Sequence, residues 1–222
     1  GVSYLPGTRQ EVEEIQEHLS SLKDINVSMF TDKFGVEESF KSLDGKTVDI
    51  LHIATHGYYF TDSIAKIQLK KGNDYLNVQQ TGDGSMLVRS GLFLSGANRV
   101  LKGKSIPQNT EDGVLTALEI SDMNLDSLNL VVLSTCSSGL GDITSEGVFG
   151  LQRGFKMAGA KTILMSLWEV KDDATKMLMV EFYKNYLKGI SKVESLKKAQ
   201  EYVKSQPGFE DPYYWAPFVM LD

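Results

Sequence analysis

An α/β fold, with a mostly parallel central sheet and helices on both faces in three layers, is what this 222-residue sequence predicts. Three observations carry that expectation. Short apolar runs rich in β-branched residues, such as Leu130-Val131-Val132-Leu133, have no polar alternation and read as strands buried on both faces. Segments with helical apolar spacing alternate with those runs along the chain, which predicts right-handed crossovers between parallel strands. Hydrophobic residues make up 41% of the chain, enough at this length to bury one full core, so residues 1–222 are expected to form a single domain.

Taken in order, Leu5-Pro6-Gly7 is a turn, and Thr8 with Glu11 has the spacing of a capping box that opens a helix. Val12, Ile15, Leu19 and Leu22 recur on one face of that helix, and His18 falls on its solvated side. Residues 26–30 read as a short strand and 36–43 as a short helix ended by Asp44-Gly45. Val48, Ile50, Leu51, Ile53 and Ala54 then make a buried strand that runs out at His56-Gly57. His52 and His56 stand four apart, but on a strand that spans ~13 Å, too far for two side chains to share one ion. His52 therefore reads as a core or near-core imidazole with a local hydrogen bond. Residues 58–87 read as a polar surface excursion with turns at Gly72-Asn73-Asp74 and Gly82-Asp83-Gly84 and a hairpin around 75–78. At its start Tyr58, Tyr59 and Phe60 either line a groove or cover the sheet edge.

Gly91-Leu92-Phe93-Leu94 looks like another strand, and 101–113 a long loop. Thr116 and Glu119 repeat the capping-box spacing and open a short helix through Met123. The buried run at 130–133 follows, then a succession of small residues, Ser134 to Gly139, that suits a tight turn. Residues 146–158 are helical, 162–167 strand, 173–188 and 193–204 helical, the first of these ending at Gly189. The last strand lies around 215–221, where Pro217 suggests an edge position.

A formal charge of -6 argues against a nucleic-acid surface, and no apolar run approaches the ~20 residues that span a bilayer. One cysteine excludes an internal disulfide. With no signal-peptide pattern at the start, this fits a reducing, cytoplasmic setting. Asn26-Val27-Ser28 matches a glycosylation acceptor, which is uninformative without a secretion signal. The start at Gly1-Val2-Ser3-Tyr4, without a methionine, reads as a segment excised from a longer protein.

The lone cysteine, Cys136, stands just past one apolar strand, and His56-Gly57 just past another. If the two strands are parallel neighbours, imidazole and thiol emerge at one sheet edge, where ligands and chemistry collect in open α/β sheets. These two strand ends resemble the signature of the caspase-like cysteine peptidases. YLPGTRQEV, LHIATHG, GLFLSGAN, EDGVLTALEI, LVVLSTC, EGVFGLQRGFKMAGAKTILMSLWEV and YYWAPFVML resemble CHAT-domain segments in CHAT order over essentially the whole chain.

The resemblance implies a caspase-like fold and peptide hydrolysis through a thioester, with Cys136 as nucleophile and His56 as its acid–base partner. The N–H groups of Gly57 and Cys136 would form the oxyanion hole. Within WEVKDDAT, Trp168 and Asp172 also resemble separase, a distant relative, whose corresponding aspartate faces an arginine; here Asp172 would meet a basic side chain and Trp168 would wall its pocket. Asp172 directly precedes a predicted helix and also suits an N-cap. Many CHAT domains read Cys-Glu-Thr-Gly, whereas Cys136 is followed by Ser137-Ser138-Gly139, as in separases. The partners implied are a protein or peptide substrate and a regulatory tetratricopeptide or other repeat segment of the parent chain; no metal or cofactor is called for. The competing readings are a non-catalytic interaction module that keeps the fold, and a redox sensor, for which no resolving cysteine is present.

Overall fold

The computed structural model describes residues 1–20, 25–59, 70–71, 74–75, 83–137, 145–168 and 170–222. The expectations for Leu22, for Phe60, for residues 76–78 of the hairpin and for the Ser138-Gly139 turn lie outside the described residues. The elements run α1 (Pro6–Ser20), α2 (Glu37–Lys41), β1 (Ile50–Tyr59), β2 (Lys70–Lys71), β3 (Asp74–Tyr75), α3 (Asp83–Arg89), β4 (Ser90–Phe93), α4 (Ala97–Leu101), β5 (Val114–Thr116), α5 (Ala117–Ser121), β6 (Leu130–Ser137), α6 (Ser145–Met157), β7 (Ile163–Ser166), α7 (Asp172–Tyr186), α8 (Lys192–Lys204) and β8 (Phe218–Leu221).

Six strands make one sheet in the order β5-β4-β1-β6-β7-β8, and β2 pairs with β3 separately. The sheet is mixed: β1 runs parallel to β6, but β4 is antiparallel to both β1 and β5. On the antiparallel edge β4 and β5 are joined by a short helix and loop, a return that antiparallel strands accept without a crossover. Gly91 makes that ladder tight, since a Cβ there would collide with the Leu115 carbonyl and the Tyr58 ring.

The chain divides into two compact units. One comprises Gly1–Ser3, Phe30–Ile163 and Asp222; the other comprises Tyr4–Met29 and Leu164–Leu221. In the first, Leu130, Val131 and Val132 are wholly buried, as a run apolar on both faces requires. The capping box of α5 forms as its spacing predicts: the Thr116 hydroxyl accepts from the Glu119 N–H, and the Glu119 carboxylate accepts from the Thr116 N–H. Gly154 of α6 lies against the Ala117 backbone, a contact with no room for a Cβ, and Phe155 is fully buried edge-on to Phe40.

Helix α3 (Asp83–Arg89) takes the place of the last part, 83–87, of the expected surface excursion. Leu87 is buried, and the α6 residue Gly150 approaches Ser90 and the Met86 carbonyl too closely for any side chain. Packing therefore supplies what the weak local helix signal lacked. The small hairpin pairs Lys70 with Tyr75 and Lys71 with Asp74, so it begins earlier than 75–78.

Helix α2 anchors a part-buried ionic cluster around the buried Glu37 carboxylate. Lys41 contacts Glu37 at 2.6 Å, Glu111 at 2.9 Å and Glu119 at 3.0 Å, while Glu37 Oε2 accepts the Gly113 N–H at 2.9 Å. Burial alone would lower the Lys41 pKa, but the hydrogen bonds to Glu37 and Glu111 outweigh it and the net shift is upward.

In the second unit α7 buries Ala174, Leu178, Met179, Phe182 and Tyr183, with Ile15 of α1 and Leu196, Ala199 and Val203 of α8 also in its core. Burial, reinforced by Glu11, raises the Tyr183 phenol and keeps it neutral. Ser191 caps α8 by accepting the Glu194 N–H, and Gly189 takes the left-handed turn between α7 and α8. Strand β8 ends the strand order, as expected for the last strand, but it begins at Phe218, so Pro217 precedes it instead of lying inside it.

Two expectations fail here. Helix α1 begins at Pro6, which suits a first helical turn, so Thr8 lies inside it and its hydroxyl donates to the Leu5 carbonyl instead of capping. Residues 25–31 are not a strand: no described neighbour gives them a ladder.

Candidate active site

Strands β1 and β6 lie side by side and parallel, with His56 paired to Cys136 and Gly57 to Ser137. Neighbouring strands stand ~4.8 Å apart, and paired positions fall on one face of the pleat. The two positions that the sequence singles out are thus ladder partners across 80 residues of chain. Neither lies beyond its strand, as the apolar runs had suggested. Strand β1 continues through Gly57, Tyr58 and Tyr59, which pair with Leu92, Gly91 and Ser90 of β4, and β6 continues through Ser137.

Tyr58 and Tyr59 are both 3% exposed, so they belong to the core and not to a surface groove. Tyr58 stacks on Phe93 with centroids 4.6 Å apart, and burial, with the Asp112 and Glu37 carboxylates, holds its phenol neutral.

The His56 ring is 8% exposed, and its Nε2 lies 2.7 Å from the Ser3 carbonyl oxygen. A carbonyl only accepts, so Nε2 must carry the proton and donate. In the neutral ring that leaves the lone pair on Nδ1, which is buried and makes no hydrogen bond among the described residues. A buried imidazole nitrogen without a partner is costly unless something else uses it. Ser3 is the site residue that sequence reading missed, because a main-chain acceptor leaves no residue-type signal.

Gly57 sits in the ladder between β4 and β6. A Cβ at this position would stand 3.4 Å from the Thr135 side chain and 3.9 Å from the Gly91 carbonyl, ordinary contact distances. Packing alone therefore does not demand glycine here.

Trp168 and Asp172 belong to the second unit. Trp168 is 41% exposed, with its indole N–H donating to the Tyr213 carbonyl at 3.1 Å. Asp172 is exposed and is the first residue of α7; the N-cap is Lys171, with no side-chain cap bond. Its carboxylate packs against Gly7 in the first turn of α1, where a Cβ would collide with it. It therefore lies by the positive ends of two helices, a favourable place for an anion whatever else it does. His52 is half-buried in β1 and has an interaction partner. Among the described residues no three His, Cys, Asp or Glu side chains cluster as a metal site, and no helix is long and apolar enough to cross a membrane.

A family model described as CHAT domain matches residues 1–222. The chain is also similar to tetratricopeptide repeat protein 28 of Mus musculus, 31% identical over 173 residues, and to its Homo sapiens counterpart, 29% identical over 175 residues. Each match covers 78% of this chain and 7% of the relative, so the chain spans a small part of the length of these proteins.

Proposed function

Because the chain belongs to the CHAT domain family, a group related to the caspase-like cysteine peptidases, we propose that it is a cysteine endopeptidase domain acting through His56 and Cys136. The observation that carries this reading is the β1–β6 register that pairs those positions, together with a His56 ring whose Nδ1 is buried and uncommitted.

In the proposed reaction Nδ1 of His56 accepts the thiol proton while the Cys136 sulfur attacks the scissile carbonyl. The sulfur–carbon bond forms, the carbonyl π pair moves to oxygen, and the N–H groups of Gly57 and Cys136 stabilise the oxyanion. The protonated imidazole then delivers its proton to the departing amine as the carbon–nitrogen bond breaks. Water, deprotonated by the same nitrogen, releases the acid and restores the thiol. The Ser3 carbonyl keeps Nε2 protonated throughout and stabilises the imidazolium, so one nitrogen is always the one that exchanges protons.

Asp172 is proposed to receive a basic side chain of the substrate, with Trp168 as part of that pocket's wall. Its exposed carboxylate is free to meet such a guest while still serving the two helix termini. The similarity to tetratricopeptide repeat proteins supports a repeat segment in the parent chain as the regulatory partner.

The test is covalent labelling with a peptidyl electrophile followed by intact-mass analysis. A single adduct on Cys136 that disappears in His56→Ala is expected. Failure of every probe to label Cys136 in a folded protein overturns the reading.

A further inference from the structure

The main-chain oxygen on His56 belongs to a segment that is held by very little. Residues Gly1–Ser3 belong to the first unit, whereas the chain from Tyr4 belongs to the second. Within that short strap Val2 is gripped at both ends of its residue: its N–H donates to Asn98 Oδ1 at 2.7 Å, and its C=O accepts from Asn98 Nδ2 at 2.9 Å. One carboxamide thus reproduces the two-bond pairing that a neighbouring strand would offer. The Val2 side chain packs against the apolar cluster of Tyr58, Phe93, Ala97 and Val114. Ser3 is exposed, and among the described residues its one hydrogen bond is the carbonyl contact with His56.

Asn98 is itself placed with care. It is the second residue of α4, whose preceding Gly96 takes a left-handed conformation that ordinary side chains resist. Gly113, also left-handed, lies against Ala97 and Gly96 so closely that a Cβ would collide with backbone, and its N–H is held by buried Glu37. A continuous set of contacts therefore runs from Glu37 through Gly113 and the start of α4 to Asn98, Val2, Ser3 and finally the imidazole.

We propose that Asn98 is a positioning residue for catalysis: by clamping Val2 it holds the Ser3 carbonyl on His56 Nε2 and so fixes which ring nitrogen is left to take the cysteine proton. This rests on the peptidase reading above and deepens it. Asn98 has no contact with substrate in the reaction as proposed; it acts through the strap. Without the clamp, Ser3 has no other bond among the described residues to hold it, Nε2 loses its acceptor, and the ring is free to turn or to change tautomer.

The experiment uses the 222-residue chain with 15N-labelled histidine, which has only three imidazoles to resolve, and Cys136→Ala as background so that the readout needs no turnover. A slowly exchanging Nε2–H signal assigned to His56 is expected in that protein and is expected to vanish into solvent exchange when Asn98→Ala is added. In the active chain, Asn98→Ala is expected to lower kcat about tenfold to a hundredfold with KM within about twofold. Val2→Pro, which deletes the strap's one donor to Asn98, is expected to act in the same direction, and the double variant to be no worse than Asn98→Ala alone.

Persistence of the His56 N–H signal in Asn98→Ala overturns the proposal. So does a loss carried by KM or by unfolding alone, or additive effects of the two substitutions. Because the imidazole signal is read without catalysis, failure of the clamp is distinguishable from failure of Cys136 to label, which would remove the peptidase reading instead.

Discussion

The β1–β6 ladder and the Trp168–Asp172 segment place their functional residues by different physics. In the ladder, position follows from register: a slip by one residue would turn every side chain of a strand to the opposite face, so apolar strand residues on both sides hold His56 opposite Cys136. In the segment after β7, Trp168 and Asp172 are exposed and are held by one indole hydrogen bond and by packing on Gly7. The contrast teaches that this chain keeps the groups proposed to react inside a cooperative lattice and leaves the groups proposed to read the substrate where change is cheap.

That contrast is sharpest in its largest effect. Cys136→Ala or His56→Ala is expected to reduce peptide cleavage ~10⁴-fold or more, measured against a fluorogenic peptide, with the cooperative unfolding transition retained. Retention of cleavage in either variant would break the ladder side of the comparison.

Next comes the part-buried cluster around Lys41 and Glu37. Lys41→Met should lower unfolding free energy by about 3 kcal/mol, since the Glu37 carboxylate stays buried without its nearest cation. The Lys41 pKa is raised in the folded state, so its contribution is fully present below the ordinary lysine value of 10.5 and is lost as pH rises through the folded value. Denaturant titrations between about pH 9 and pH 12 should therefore show the wild-type advantage over Lys41→Met shrinking at the alkaline end.

A smaller effect is expected at Gly57. The described neighbours leave ordinary contact distances for a methyl group, so Gly57→Ala should keep its melting temperature within about 2 °C. If its N–H meets the oxyanion, the added methyl should still cost about 10²-fold in kcat by obstructing that approach. Unchanged kcat would remove Gly57 from the oxyanion hole.

The smallest effect belongs to the exposed segment. An ion pair in solvent is worth roughly 1 kcal/mol or less, so Asp172→Ala should reduce discrimination for Arg or Lys over a neutral residue by roughly fivefold, measured as kcat/KM ratios on a peptide library. Loss of the two helix-end interactions should cost under about 1 kcal/mol of stability. A native preference for acidic residues at this position would refute the assignment.

The legible parts of the sequence were those where residue type and geometry are tied. The Val131-Val132 run has only one comfortable home, between two covered faces, and Thr116 with Glu119 specifies its own cap. His56 and Cys136 were legible as a pair because each follows such a run. Strand ends were less legible: Tyr58 and Ser137 extend their ladders because β4 and β1 are there to bond them, which no local pattern encodes. Thr8 and Glu11 had the spacing of a cap, but Pro6 started the helix first. Helix α3 needed Gly150 of a distant helix to make room for it. The Ser3 contribution was not legible at all, because it uses an atom that every residue carries.

That last point has a practical edge. Since the acceptor on His56 is a backbone oxygen, replacing the Ser3 side chain deletes nothing from the bond, and a scan by alanine will pass over the position silent. Deleting residues 1–3 would instead alter the imidazole's surroundings while leaving His56 and Cys136 in place.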